Sequence, residues 1–121
     1  MAHEENQPEV VLPLSAPALS ILITLGDRIL HGYGIIQELK DRTGGKETLL
    51  PGTLYSSLAR MAAQGLVEET ERLGEPGSGG PKRRYYRTTA SGRLAARAEM
   101  RRMEMLLAVA RATNLIPRTG A

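Results

Sequence analysis

The sequence predicts a mainly α domain with a small antiparallel β-wing, extended by a long C-terminal helix. Three observations support this prediction. An amphipathic segment begins at Pro51, a glycine-rich turn spans 74–80, and a basic, tyrosine-containing strand leads from that turn into a long helical segment. A helix followed by a two-stranded ribbon with a cationic return strand is typical of a winged helix-turn-helix. We therefore predict this fold, with an added C-terminal dimerisation helix.

Length and composition limit the class of protein. The 121 residues suffice for one domain, with 41% hydrophobic residues but only 3% aromatic ones, so aliphatic side chains and Met must form the core. The absence of Cys excludes disulfides, Cys-based zinc sites and thiol catalysis. No apolar run reaches the roughly 18 residues that a membrane span needs. We expect a soluble, cytoplasmic protein with no membrane partner.

Charge is distributed unevenly along the chain, although the net charge is only +3. Residues 81–111 carry nine basic and two acidic side chains, a net +7, whereas the rest carries seven basic and eleven acidic ones, a net −4. Such asymmetry favours an anionic partner. An ordinary solvated face is the alternative for the arginines of the last helix.

The first part of the chain divides into an arm and two helices. Residues 1–14 are predicted to be a flexible, acidic arm. Ser15 suits the N-cap of the first helix, since its hydroxyl can accept a backbone N–H bond. A second helix is predicted from Gly32 to Thr43, ended by Gly44. Three apolar side chains of this helix face inward: Ile35, Ile36 and Leu39. Residues 47–50 are a candidate for one bridge of a sheet.

The third helix is the candidate recognition helix. At 100° per residue its core face is formed by Leu54, Leu58, Met61 and Ala62, and its outward face by Thr53, Ser56 and Arg60. Arg60 is the best base reader, because a guanidinium can bind O6 and N7 of guanine in the major groove. Thr53 and Ser56 suit phosphates. Tyr55, at the border of the two faces, suits packing or a phosphate contact. An ordinary solvated polar face is the alternative.

The wing completes the predicted winged-helix domain over 15–88. Lys82, Arg83 and Arg84 lie nearest the wing tip and are candidates for contacts with the DNA backbone or minor groove. Of Tyr85 and Tyr86, one is expected under the wing and the other half exposed.

The last helix is predicted to serve dimerisation over 89–115, with Thr89 as N-cap and a tail over 116–121. Its seam of coiled-coil type is formed by Met100, Met103, Leu106, Leu107 and Ala110. Met100, Met103 and Leu107 are also candidate effector-binding residues, because Met adapts to varied shapes. The alternative is a dimer core and nothing more.

Catalytic and metal-binding motifs are not evident. The glycine-rich turn lacks the Gly-Lys-Ser/Thr order of a phosphate-binding loop. His3 and His31 have no second ligand at metal-binding spacing, and no nucleophile and base occur together. We predict no enzyme activity, no cofactor and no metal.

Several short motifs resemble the PadR family of transcriptional regulators. They are His31-Gly32-Tyr33, then Gly52-Thr53-Leu54-Tyr55 with Leu58, Arg60 and Gly65-Leu66-Val67, and finally Arg84-Tyr85-Tyr86-Arg87-Thr88-Thr89 followed by Gly92. Together they cover roughly residues 15–95. Each is weak alone, but the joint pattern is specific.

The resemblance implies a regulator of the short subclass, which dimerises through the last helix. It also implies a flat apolar cavity at the dimer centre that often accepts aromatic or drug-like molecules. Two features depart from the pattern: Ala62 stands where an acidic residue is frequent, and no Trp is present to sandwich a planar ligand.

The sequence as a whole predicts a sequence-specific DNA-binding regulator. We expect a repressor that binds an inverted-repeat operator on double-stranded DNA as a homodimer and is released by a small apolar or aromatic effector. Two other classes stay open. One is a winged-helix adaptor whose basic wing meets an acidic protein, and the other is a small-molecule sensor with incidental DNA affinity.

Overall fold

The computed structural model describes residues 12–71 and 84–118. Its elements are α1 (Ala16–Leu25), β1 (Leu30–His31), α2 (Gly32–Arg42), α3 (Pro51–Ala63), β2 (Val67–Thr70), β3 (Tyr85–Thr88) and α4 (Ala90–Ala112). The strands form one antiparallel sheet in the order β1-β3-β2. The predicted mainly α fold with a small β-wing is confirmed.

The core lies where α1, α2 and α3 meet one face of the sheet. Ile21 and Leu25 of α1 are fully buried, as expected for a helix that is apolar on almost every side. The Ser15 hydroxyl accepts a bond from the Ala18 N–H at 3.2 Å, which confirms the predicted N-cap. Gly44, with φ +61°, follows α2 in the left-handed conformation that favours glycine.

The third strand of the sheet corrects the sequence prediction. Residues 47–50 form no strand, and Leu49 is instead buried in the core. The strand is β1, which pairs with β3 through Leu30↔Tyr86 and His31↔Tyr85. A strand of two residues is too short to show the apolar–polar alternation that marks a strand in a sequence. Its pairing depends instead on the tertiary approach of β3.

The buried face of α3 also differs in detail from the prediction. Leu54, Leu58 and Met61 are buried as predicted, but Ala62 is exposed and Ser57 is buried. Ser57 lies between Leu54 and Met61 in the i, i+3, i+7 series, whereas Ala62 is turned a further 100° from Met61. The core face is therefore as wide as predicted but rotated by about 40° toward Ser57.

The first half of α4 is tied to the rest of the domain. Its predicted N-cap, Thr89, accepts a bond from the Gly92 N–H at 3.0 Å and donates one to the Gly65 carbonyl at 2.5 Å. Gly92 lies so close to the Leu66 carbonyl that a Cβ would collide with it. Across the two described stretches, no helix combines the length and apolarity needed to cross a membrane.

Candidate nucleic-acid interface

The outward face of α3 is polar and open to solvent. Thr53, Ser56 and Arg60 are all exposed, so their predicted orientation agrees with the structure. The Ser56 hydroxyl donates to the Thr53 carbonyl at 3.2 Å, which leaves its lone pairs available. Among the described residues, none forms an ion pair with Arg60. The five N–H donors of its guanidinium therefore have no partner within 12–71 or 84–118.

The N-terminus of α3 is also accessible. Leu50 occupies the N-cap position without a side-chain bond, and Pro51 begins the helix. Pro at this position removes only a donor that has no partner within the helix. Residues 51–53, which form the first turn of α3, are all exposed, and the positive end of the helix dipole lies at this turn.

Tyr55 joins α3 to the start of α2. Its side chain is 49% exposed, and its ring lies directly over Gly32. A Cβ at Gly32 would come within 2.5 Å of the Tyr55 hydroxyl oxygen and 2.8 Å of two ring carbons. A side chain at position 32 would therefore displace the Tyr55 ring, which packs against Gly32 and is half exposed to solvent.

His31 fixes the other side of this junction. Its Nδ1 accepts a bond from the Gly34 N–H at 2.9 Å and so caps α2. Its ring meets the Tyr85 ring edge to face, with 5.6 Å between centroids. The start of α2 is thereby joined to α3 through Tyr55 and to the wing through Tyr85, by contacts that the sequence motifs alone did not reveal.

The wing is a short two-stranded ribbon with paired charges on its surface. Glu68 lies opposite Arg87 in the ladder, and the two side chains form an ion pair. Arg84, a predicted DNA contact, lies 3.5 Å from Glu69 and is 74% exposed. The other two predicted wing contacts, Lys82 and Arg83, lie outside the described residues.

Both tyrosines of β3 are buried, which corrects the expectation that one would be half exposed. Tyr85 is 8% and Tyr86 6% exposed. Because β3 is the middle strand, Tyr86 packs into the helical core while Tyr85 is covered by His31 of β1. Burial raises the pKa of the Tyr86 hydroxyl, and the carboxylate of Glu69 raises it further.

The predicted dimerisation residues lie on the second half of α4. Met103, Leu106 and Leu107 are between 40% and 49% exposed, whereas Met100 and Ala110 are partly buried. Large apolar side chains left in water on one face of a helix are typical of an interaction surface. The assignment of Met100, Met103 and Leu107 to an effector site stays a prediction.

The described residues also show whether side chains that could bind a metal ion together lie close to one another. Within 12–71 and 84–118, no group of three or more His, Cys, Asp or Glu side chains is arranged to hold a metal ion.

Comparison with known proteins decides the family. The model of the transcriptional regulator PadR-like family matches residues 21–98. The chain belongs to the PadR-like family. It is 38% identical over 92 residues to the transcriptional regulator Rv3488 of Mycobacterium tuberculosis, which covers 76% of this chain and 79% of that protein. The resemblance predicted from the motifs is confirmed, and the chain is a transcriptional regulator, not an enzyme.

Solved structures support the same fold for this PadR-like chain. A PadR family transcription regulator from Clostridium difficile R20291 superposes with a TM-score of 0.69 at 25% identity, over 82% of this chain and 98% of that one. Bacillus subtilis PadR, solved in complex with operator DNA, superposes with a TM-score of 0.63 at 19% identity, over 73% of this chain and 48% of that one.

Proposed function

We propose that this PadR-like regulator is a homodimeric repressor that binds an inverted-repeat operator on double-stranded DNA. The observation that carries the proposal is the outward face of α3. There Arg60 is exposed and has no ion pair with any described residue, beside the exposed Thr53 and Ser56. The shared fold with a protein solved on operator DNA supports it.

Arg60 is the residue that reads sequence in this proposal. A guanidinium that donates hydrogen bonds to both O6 and N7 of one guanine makes the commonest specific contact in the major groove. Thr53 and Ser56 offer hydroxyls near the accessible N-terminus of α3, where phosphate oxygens are favoured. Tyr55, whose ring packs against Gly32, links α3 to α2 and offers its half-exposed side chain to the DNA backbone.

The wing supplies contacts that position the protein without reading bases. Arg84 is held by Glu69 at 3.5 Å, with both side chains more than half exposed. An exposed ion pair of this kind contributes little to stability, so a DNA phosphate can replace the carboxylate at low cost. Lys82 and Arg83, which directly precede Arg84 in the sequence but lie outside the described residues, are proposed to add further phosphate contacts.

Dimerisation couples two such interfaces. Two recognition helices that bind successive major grooves must lie about 34 Å apart. The seam of α4 leaves Met103, Leu106 and Leu107 largely uncovered, which suits a second copy of the chain. An apolar or aromatic effector bound between Met100, Met103 and Leu107 of the two copies would alter their angle and lower operator affinity.

The test is a footprint on the DNA upstream of the gene, followed by fluorescence anisotropy with the protected duplex. Arg60→Ala should weaken operator binding by about 1–3 kcal/mol but change binding to random duplex little. Arg97→Ala is the matched control, because it removes an exposed arginine from α4. An equal loss on both duplexes would refute base reading by Arg60. If the wild-type protein binds the operator and the random duplex with equal, weak affinity, a role as a protein-interaction adaptor would be favoured instead.

A further inference from the structure

A cleft of about 610 Å³ lies at the base of the wing, at the opposite end of the strands from the 72–83 connection. Its walls are the turn at 26–29, the ends of β2 and β3, and the first turn of α4. It opens where the β1–β3 ladder stops at Leu30↔Tyr86. No residue of α3 lines the cleft, so the cleft is separate from the outward face of that helix.

Three arginines from three different elements line this cleft: Arg28, Arg87 and Arg93. The first two are held in place by the protein. Arg28 donates to the Thr24 carbonyl at 2.6 Å and pairs with Glu38 at 3.3 Å, while Arg87 pairs with Glu68. Within the described stretches Arg93 has no ion pair and is exposed. Its guanidinium is thus available to a ligand.

The first turn of α4 adds backbone donors to the same cleft. Thr89 caps the Gly92 N–H, but the N–H groups of Ala90 and Ser91 have no hydrogen bond to any residue in 12–71 or 84–118. Ala90 lines the cleft. The helix runs over 23 residues, so its dipole places partial positive charge at this turn.

A buried hydroxyl points to a ligand independently of the helix. Thr88 lines the cleft and is 9% exposed, yet its Oγ1 has no hydrogen-bond partner among the described residues. Its methyl carbon lies toward Gly92, and the residue as a whole is part of the cleft wall. Buried hydroxyls nearly always have a partner, so this one suits an acceptor group bound at the cleft.

We propose that the cleft binds a small oxyanion, a phosphate or carboxylate group, through Arg93, the Ala90 and Ser91 amides, and the Thr88 hydroxyl. Asp27 and Glu68 also line the cleft and offset part of its positive charge. The site therefore suits a group of one or two negative charges and disfavours a duplex backbone. Its volume lies within the range of about 300–1,000 Å³ that is common for ligand sites. This site goes beyond the proposed operator binding and does not depend on it.

The proposal is tested by amide NMR of the full chain during separate titrations with inorganic phosphate and with succinate. We expect saturable shifts confined to the amides of residues 88–93, and the anion that saturates at the lower concentration identifies the class of ligand. Shifts that grow linearly with salt, or that spread over all arginines, would overturn the proposal.

Variants of single residues sharpen this test. Arg93→Gln should weaken the preferred anion about tenfold, since it removes a charge-assisted bond. Arg97→Gln is the matched control, because it removes an exposed arginine one helical turn further along α4 that does not line the cleft; we expect less than a twofold change. Thr88→Val should also weaken binding while keeping the shape of the side chain. Equal losses for Arg93→Gln and Arg97→Gln would contradict a defined site.

A third titration separates this cleft from the operator interface. A short random-sequence duplex should leave the amides of 88–93 unshifted in the wild type. If the duplex shifts them as phosphate does, the cleft is part of the DNA interface and the small-anion site is refuted. If the anions bind as expected and the footprint fails, this proposal stands and the operator proposal falls.

Discussion

The two halves of α4 carry one continuous stripe but differ in what covers it. In the first half Gly92, Ala95 and Glu99 are buried, where the helix packs on α1 and β3. The same 3,4 spacing continues through Met103 and Leu106, which are 40% and 49% exposed. A helix that keeps its apolar stripe after leaving its own core offers that stripe to a partner. The first half thus completes the domain, and the second is where we propose that another chain packs.

Glu99 marks the border between the halves. Its side chain is fully buried and accepts bonds from the Leu14 N–H and the Arg102 Nε, both at 2.5 Å. The Arg102 hydrogen bond lowers the pKa of this carboxyl, and the Leu14 bond acts in the same direction against the effect of burial. A charged residue on the buried stripe therefore ties the segment before α1 to α4.

The largest effect should follow from charging the uncovered half. Met103→Glu combined with Leu107→Glu places two like charges on each copy of the seam and should dissociate the dimer without unfolding the domain. Operator binding should then weaken at least about 100-fold, because two linked sites become two separate ones. Sedimentation gives the mass, and anisotropy on the footprinted duplex gives the affinity.

The control for this variant keeps the charge change but moves it around the helix. Met105 and Val109 are 60% and 52% exposed and lie more than 100° from the centre of the seam. Met105→Glu combined with Val109→Glu should leave the dimer intact. An intact dimer in the Met103 and Leu107 variant would overturn the assignment of the seam.

A core substitution should give a smaller effect of a different kind. Leu58 is 1% exposed, and Leu58→Ala should lower the free energy of unfolding by about 2–5 kcal/mol through lost burial and a cavity. Leu107→Ala should hardly change the unfolding of a dissociated chain, because its side chain is 42% exposed there. Urea unfolding at low protein concentration measures both. Equal losses would mean that the second half of α4 belongs to the core.

The smallest effect should be on the free energy of unfolding at acid pH, and it tests the role of Glu99. Since the folded pKa of Glu99 lies below 4.5, the folded state binds fewer protons than the unfolded state near that pH. The stabilisation by Glu99 is therefore complete above about pH 4.5 and is lost as pH falls through the folded value. Glu99→Gln should flatten this decline in unfolding experiments, with the exposed Glu104→Gln as control. An unchanged decline would exclude Glu99 as its source.

Local signals explain which parts of the fold the sequence predicted. Ser15 and Thr89 were identifiable because a capping hydroxyl next to an apolar series is a short-range pattern. The third strand was missed because two residues show no periodicity. Glu99 was missed because a Glu three residues before an Arg is usually an exposed helix pair, and its burial depends on the distant Leu14.

In the candidate interface, too, the sequence predicted the features that depend on local periodicity and missed the contacts between distant parts of the chain. Helical periodicity placed Thr53, Ser56 and Arg60 on the outward face of α3. It could not show that Tyr55 rests on Gly32, because that contact joins two helices. The cleft beside Thr88 and Arg93 escaped for the same reason, since its walls come from separate parts of the chain.

The central claim is that uncovered α4 surfaces pair two chains so that both α3 helices reach one duplex. Sedimentation of the wild-type protein with the footprinted duplex tests it most directly. The predicted complex contains two chains of 13.1 kDa on each duplex, with no stable species of one chain. A complex that holds a single chain at saturating protein would contradict the claim.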